Sequence, residues 1–262
     1  MSDLFPVTAA VTGVLGLVSG PLVPWLIGRL PEPEPEPEDA DPPEQYGRVT
    51  EQGADPPEQY GRVSEEKELY ADIAGRPGLA VKAALAGAAA SALLGLGLGW
   101  TWMLLVVLPL VPVSLALAVV DWRTRLLPRL LVLPALGGSI VTVAVSWALT
   151  GFDGGSGTAV RTLLGCAVAF VVFFLLWFVY PRGMGFGDVR LSALLGLVLG
   201  YLGWSEWLVG LYGGFLLGAV IGGVLSLLKV VDRKGYPFGP FMLVGALVGV
   251  LAGQPVIDLL YS

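Results

Sequence analysis

The chain contains no histidine and a single cysteine, Cys166, in 262 residues. These absences exclude a Ser-His-Asp triad, a Cys-His pair, a zinc site built on clustered histidine and cysteine, and any disulfide within the chain. Charge is scarce as well. Charged residues make up 14% of the sequence, against about 25% in a soluble domain. Hydrophobic residues reach 55% before the 37 glycines are added. A water-soluble enzyme is therefore not expected. The formal net charge of −6 hides a division within the chain. Residues 31–76 hold 14 Asp or Glu against 4 Lys or Arg, while the remainder holds 7 acids against 11 bases. The composition is that of a basic membrane body carrying an acidic insert.

The insert opens with PEPEPEPE at 31–38, where alternating proline forbids helix and favours an extended spacer. A repeat with a period of 14 follows, ADPPEQYGRVTE from Ala40 and ADPPEQYGRVSE from Ala54. Two copies are too few for a solenoid, and neither has the apolar residues to close a core. The segment 31–66 reads as disordered, with a short amphipathic helix around 65–73. Its role is either that of a solvated linker or that of a docking motif using Tyr46 and Tyr60. Residues 32–64 are expected to be dispensable for chemistry elsewhere in the chain.

Outside the insert, apolar runs of spanning length follow one another. A bilayer core of about 30 Å needs roughly 20 helical residues. The runs at 5–28, 79–98, 100–120, 130–150, 159–180, 188–203, 206–228 and 238–260 predict an all-α, polytopic membrane protein with about eight transmembrane helices. The organisation is then a first transmembrane helix at 1–30, the acidic insert at 31–78 and a seven-helix domain at 79–262. Met-Ser-Asp at the start lacks the basic region of a signal peptide, so the first span is expected to stay as an anchor. Fourteen of the 15 basic residues fall on one side of this topology, and only Arg161 on the other. That asymmetry makes the richer side cytoplasmic and puts both termini outside. All eight tryptophans lie near predicted span ends, as interfacial indoles do.

Beyond residue 77 the only acids are Asp121, Asp153, Asp188, Glu206, Asp232 and Asp258. Asp121 ends the third span and Asp188 opens the sixth, so both stand at the cytoplasmic membrane boundary, where an ionisable group is costly and often functional. Each also has a plain structural reading. Asp188 suits the N-cap of its helix, and Asp121 suits a solvated interfacial site. An acid at a helix C-terminus opposes the helix dipole, however, so Asp121 calls for a reason. A cap also does not need the glycines of GMGFG at 183–187, which suggest positive φ or close backbone approach at Gly185 and Gly187. Two carboxylates on one face suggest an acid–base pair acting on water, one ionised and one protonated.

At these residues the sequence resembles the prepilin (type IV leader) peptidases, membrane aspartic proteases of the G-x-G-D class. The resemblance rests on GMGFGDVRL at 183–191, with Gly185, Phe186, Gly187 and Asp188; on DWRTRLLPRLLVLP at 121–134; and on PFGPFMLVGALVG at 237–249. It implies Asp121 and Asp188 as the catalytic pair, with Gly185, Phe186 and Gly187 at the substrate approach. It implies prepilin or pseudopilin precursors as partners, in a bacterial plasma membrane, with no cofactor, no metal and no nucleic acid. Two departures stand out. Leu127-Pro128-Arg129 replaces the family's frequent Ile/Leu-Pro-Asp/Asn, and the acidic repeat occupies the place of the cysteine-motif domain associated with N-methylation. Peptidase activity without methyl transfer is the expectation. A presenilin-type intramembrane protease and, from a different class, a proton-coupled transporter are the alternatives.

Overall fold

The computed structural model describes residues 4–32, 68–151, 155–180, 184–227 and 237–261. Most of the proline-rich run, both repeats with Tyr46 and Tyr60, Gly183, Asp153 and Asp232 lie outside the described residues. The described residues are all-helical. In chain order they form α1 (Leu4–Ser19), α2 (Leu22–Gly28), α3 (Tyr70–Ala74), α4 (Leu79–Leu98), α5 (Leu104–Val107), α6 (Leu110–Thr124), α7 (Arg129–Leu149), α8 (Gly155–Val179), α9 (Phe186–Leu202), α10 (Trp204–Leu227) and α11 (Gly239–Tyr261).

Six stretches among the described residues are long and apolar enough to cross a membrane: Phe5–Gly28, Leu79–Leu98, Leu104–Thr124, Arg129–Leu149, Gly157–Val179 and Gly239–Leu260. With α9 and α10 they make up the eight apolar elements expected. Prolines account for the irregularities. Pro21 separates α1 from α2, and Pro109 separates α5 from α6, each removing a backbone donor from the helical ladder. The third span runs to Thr124, one turn further than hydropathy suggested, and Asp121 lies inside α6.

Three helix pairs pack most extensively: α1 with α4, α8 with α9, and α10 with α11. Glycines set their separation. A Cβ on Gly16 would stand 2.2 Å from the Gly87 carbonyl oxygen, one on Gly196 2.5 Å from that of Gly165, and one on Gly245 2.3 Å from Gly214 Cα. Only bare backbone permits approach that close, the usual device where lipid supplies no hydrophobic force between helices. Large apolar side chains such as Val18, Val81, Leu163 and Val179 remain exposed around the outside.

The short helix α9 is the axis of the assembly. From Asp188 to Leu202 every residue except Arg190 is buried, against α7, α8, α10 and α11. At its far end Arg161 of α8 donates to the carbonyls of Gly200 (2.7 Å), Tyr201 (2.8 Å) and Leu202 (3.3 Å). A cation on the last carbonyls of a helix satisfies orphan acceptors and complements the dipole. Arg161 thus holds the axis helix in place.

Candidate active site

Asp121 is set by three local features. It sits one turn from the end of α6, and Arg125 then turns the chain with a left-handed backbone (φ 55°). The Arg125 N–H closes that turn on the Asp121 carbonyl at 2.8 Å. The side chain points inward and is only 4% exposed. Its Oδ2 accepts the backbone N–H of Gly239 at 2.9 Å, across 118 residues of sequence. Gly239 is the first residue of α11, so the carboxylate lies against the positive end of that helix.

Asp188 is the third residue of α9 and is 7% exposed. Gly185 is the N-cap, and the Asp188 Oδ2 reaches back to accept the Gly185 N–H at 3.1 Å. This is the carboxylate half of a capping box, so Asp188 does assist its helix start, from N3 rather than from the cap position. The glycines serve less alike than the sequence suggests. Neither has positive φ; Gly185 is extended at φ −77° and ψ 151°. A Cβ on Gly185 would make only ordinary contacts, with Asp188 Oδ2 at 3.6 Å and the Gly187 nitrogen at 3.9 Å, whereas one on Gly187 would stand 2.7 Å from Leu127 Cβ. Gly187 is there for close packing.

Leu127 joins the two halves. It lies in the linker between α6 and α7, against Gly187 on one side and with its Cδ2 3.3 Å from the Cβ position of Gly239 on the other. The end of α6, the start of α9 and the start of α11 thus converge, and Asp188 lies within electrostatic reach of Asp121. Each carboxylate commits Oδ2 to a glycine N–H. No hydrogen bond among the described residues occupies either Oδ1, so one oxygen of each acid has a lone pair for water. Phe186, two residues before Asp188, has its ring 5.1 Å from that of Trp177 and the Arg190 guanidinium 4.8 Å from its centre. Among the described residues no group of three or more His, Cys, Asp or Glu side chains is arranged to hold a metal.

The structure brings all five sequence-derived site residues to one end of the bundle. It adds Leu127 and Gly239, which sequence reasoning did not assign a role. The signal for Gly239 was present in the PFGP block at 237–240, where a glycine follows a proline at the head of an apolar run.

Residues 108–227 match the type IV leader peptidase family. The matched region is similar to that family over 120 residues. It contains Asp121, Leu127 and the whole of the Gly185–Asp188 motif, and it stops short of Gly239. Similar proteins include the prepilin leader peptidase/N-methyltransferases of Pseudomonas putida, 34% identical over 151 residues, and of Aeromonas hydrophila, 30% identical over 147. The matches cover 54% of this chain, with 48% of the first relative and 47% of the second. The enzyme of the same printed name from Aeromonas salmonicida (strain A449) is 29% identical over 147 residues, again 54% of this chain and 47% of the relative. The chain spans about half the length of the curated relatives it matches. No solved structure matches it.

Proposed function

We propose that this chain is a membrane aspartic endopeptidase that removes the leader from type IV prepilin or pseudopilin precursors at the cytoplasmic face of a bacterial plasma membrane. The observation that carries the reading is the pair of buried aspartates, each with Oδ2 held by a glycine N–H and Oδ1 open, inside the region that matches the type IV leader peptidase family. Two buried carboxylates within electrostatic reach of each other disfavour simultaneous ionisation, and in this reading they share one proton. The ionised member takes a proton from a bound water as its oxygen attacks the scissile carbonyl. The protonated member donates to that carbonyl oxygen, giving a gem-diol intermediate. Proton transfer to the leaving amine then accompanies C–N cleavage, leaving a new carboxyl end and a new amino end. The glycine amides keep both carboxylates oriented without neutralising them.

Both acids lie within one turn of a helix end, and 14 of the 15 basic residues fall on that side of the sequence-derived topology. This supports a cut at the membrane edge rather than at the midplane, and it is unlike the usual placing of transporter carboxylates. The leader junction of a substrate anchored by one helix would arrive at that edge. Methyl transfer is not part of the proposal, because the cysteine-free insert stands where the resemblance puts a cysteine-bearing domain.

Co-expression with a candidate prepilin tests the reading. Mass spectrometry of the pilin is expected to show loss of the leader and an unmethylated mature N-terminus. A full-length precursor, with the membrane protein normally expressed, would overturn the proposal. A methyl group that appears only with this protein would overturn its second half.

A further inference from the structure

The insert meets the membrane body through a contact that its composition does not announce. Glu32 follows the end of α2, and its carboxylate straddles the start of α3: Oε2 accepts the Tyr70 N–H at 2.7 Å and Oε1 the Ala71 N–H at 2.9 Å. The local N-cap of α3 is Leu69, which has no side-chain acceptor. Glu32 therefore supplies, from 38 residues away, the cap that the local sequence lacks. A five-residue helix cannot hold itself together, so its place depends on what pins it. Here the pins are the Glu32 carboxylate at one end and fully buried Ile73 on the inner face.

What α3 touches gives this contact its meaning. Tyr70 is buried, and its side chain interacts with that of Thr124, the last residue of α6. Burial pushes the Tyr70 phenol up from its ordinary range, which keeps it a neutral hydrogen-bonding group. Thr124 passes the connection on by donating to the Val120 carbonyl at 2.9 Å, and Asp121 is the next residue. Glu68, just before α3, pairs with Arg76 and stands 4.0 Å from Arg123 of the same α6 turn. The only turn of α6 that bears a carboxylate is thus braced by α3.

We propose that Glu32 is a positioning residue: by capping α3 it holds Tyr70 on Thr124 and fixes the last turn of α6, and with it Asp121, in register with Asp188. The proposal rests on the reading of those two aspartates as the catalytic pair. The hydrogen bonds of Glu32 go to the Tyr70 and Ala71 amides and to neither aspartate. Its effect belongs in kcat, since it sets the geometry of a reacting group and leaves the binding surface alone.

A disulfide lock separates this role from a general loss of structure. A Cβ on Gly28, the last residue of α2, would lie 3.5 Å from the Ala74 Cβ at the end of α3. That spacing suits a disulfide. The Gly28→Cys, Ala74→Cys pair is placed in a Cys166→Ala background, purified in nanodiscs, with and without Glu32→Ala. Two quantities are measured: the rate of disulfide formation under a mild oxidant, and cleavage of a prepilin in the oxidised and reduced states. With Glu32 replaced, the reduced protein should lose at least fivefold in kcat with KM within twofold, and the disulfide should form at least fivefold more slowly. Oxidation should return kcat to within twofold of the Glu32 protein, and reduction should remove it again. An unchanged kcat in Glu32→Ala, or an oxidised variant as slow as the reduced one, would overturn the proposal. If the Glu32 protein itself cleaves no prepilin, it is the peptidase reading that fails. The disulfide rates then decide the clasp alone: slower formation without Glu32 supports it, and equal rates refute it.

Discussion

Gly185 and Gly187 stand two residues apart, yet an added methyl group meets different surroundings at each. At Gly187 it would overlap Leu127 Cβ at 2.7 Å, with Leu127 backbone just behind, so α9 and the α6–α7 linker must separate. Overpacking of this kind costs about 1–3 kcal/mol. Gly187→Ala should therefore lower cleavage roughly tenfold or more at normal expression, since about 1.4 kcal/mol is a factor of ten. Gly185 has φ and ψ that any residue adopts and only ordinary contacts around its Cβ position. Gly185→Ala should stay within threefold of wild type in a leader-cleavage assay. A large loss there with the fold intact would mean that substrate backbone occupies the space. Gly239→Ala belongs with Gly187→Ala, because its Cβ would lie 2.7 Å from Asp121 Oδ2 and displace the carboxylate. Asp121 and Asp188 were legible in the sequence because so few acids accompany so many apolar residues, and a carboxylate at a membrane boundary stands out against that background. Gly239 was not legible, because its role is a backbone N–H delivered across 118 residues by tertiary packing. No side-chain pattern reports such a contact.

Helices followed hydropathy closely, because the bilayer imposes one length on every crossing segment. The stretch Leu79–Leu98 coincides with its sequence-derived span, and Arg129–Leu149 and Gly239–Leu260 lie within one residue of theirs at each end. The exceptions have local causes. The third span runs on to Thr124, where left-handed Arg125 ends it, and Asp121 sits within helix rather than at its edge. The sixth span reads short because α9 is the core of the bundle: 17 residues, almost entirely enclosed by protein, with Arg161 holding its far end. Which helices pair was not legible. The pairing rests on glycines such as Gly16 with Gly87 and Gly165 with Gly196, and 37 glycines offer too many equivalent combinations along an apolar sequence. The helix expected around 65–73 exists in shorter form as α3, Tyr70–Ala74. Its anchor, Glu32, lies among several identical glutamates of the proline-rich run, where nothing local singles it out.

For the molecule as a whole, charge is divided between an apolar body with a small basic excess and an acidic stretch at 31–76. The ends of that insert are already together, since Glu32 and Tyr70 share a hydrogen bond. Loop length then enters the folding free energy only logarithmically. Replacing 33–64 by a flexible Gly/Ser linker should leave leader cleavage within about twofold of wild type, provided Glu32 is kept. Starting the replacement at 32 should reproduce the loss seen in Glu32→Ala. Loss of cleavage in the first variant, at normal expression, would assign substrate docking to Tyr46, Tyr60 or their repeat. The central claim is that two carboxylates share the chemistry and neither can replace the other. The most direct measurement is single-turnover cleavage of a prepilin by purified protein in nanodiscs, comparing wild type with Asp121→Asn and Asp188→Asn. The account predicts that each variant folds and melts like wild type and loses about 10³-fold or more in the cleavage rate, the scale of general acid–base catalysis. A rate within tenfold of wild type for either variant would contradict it.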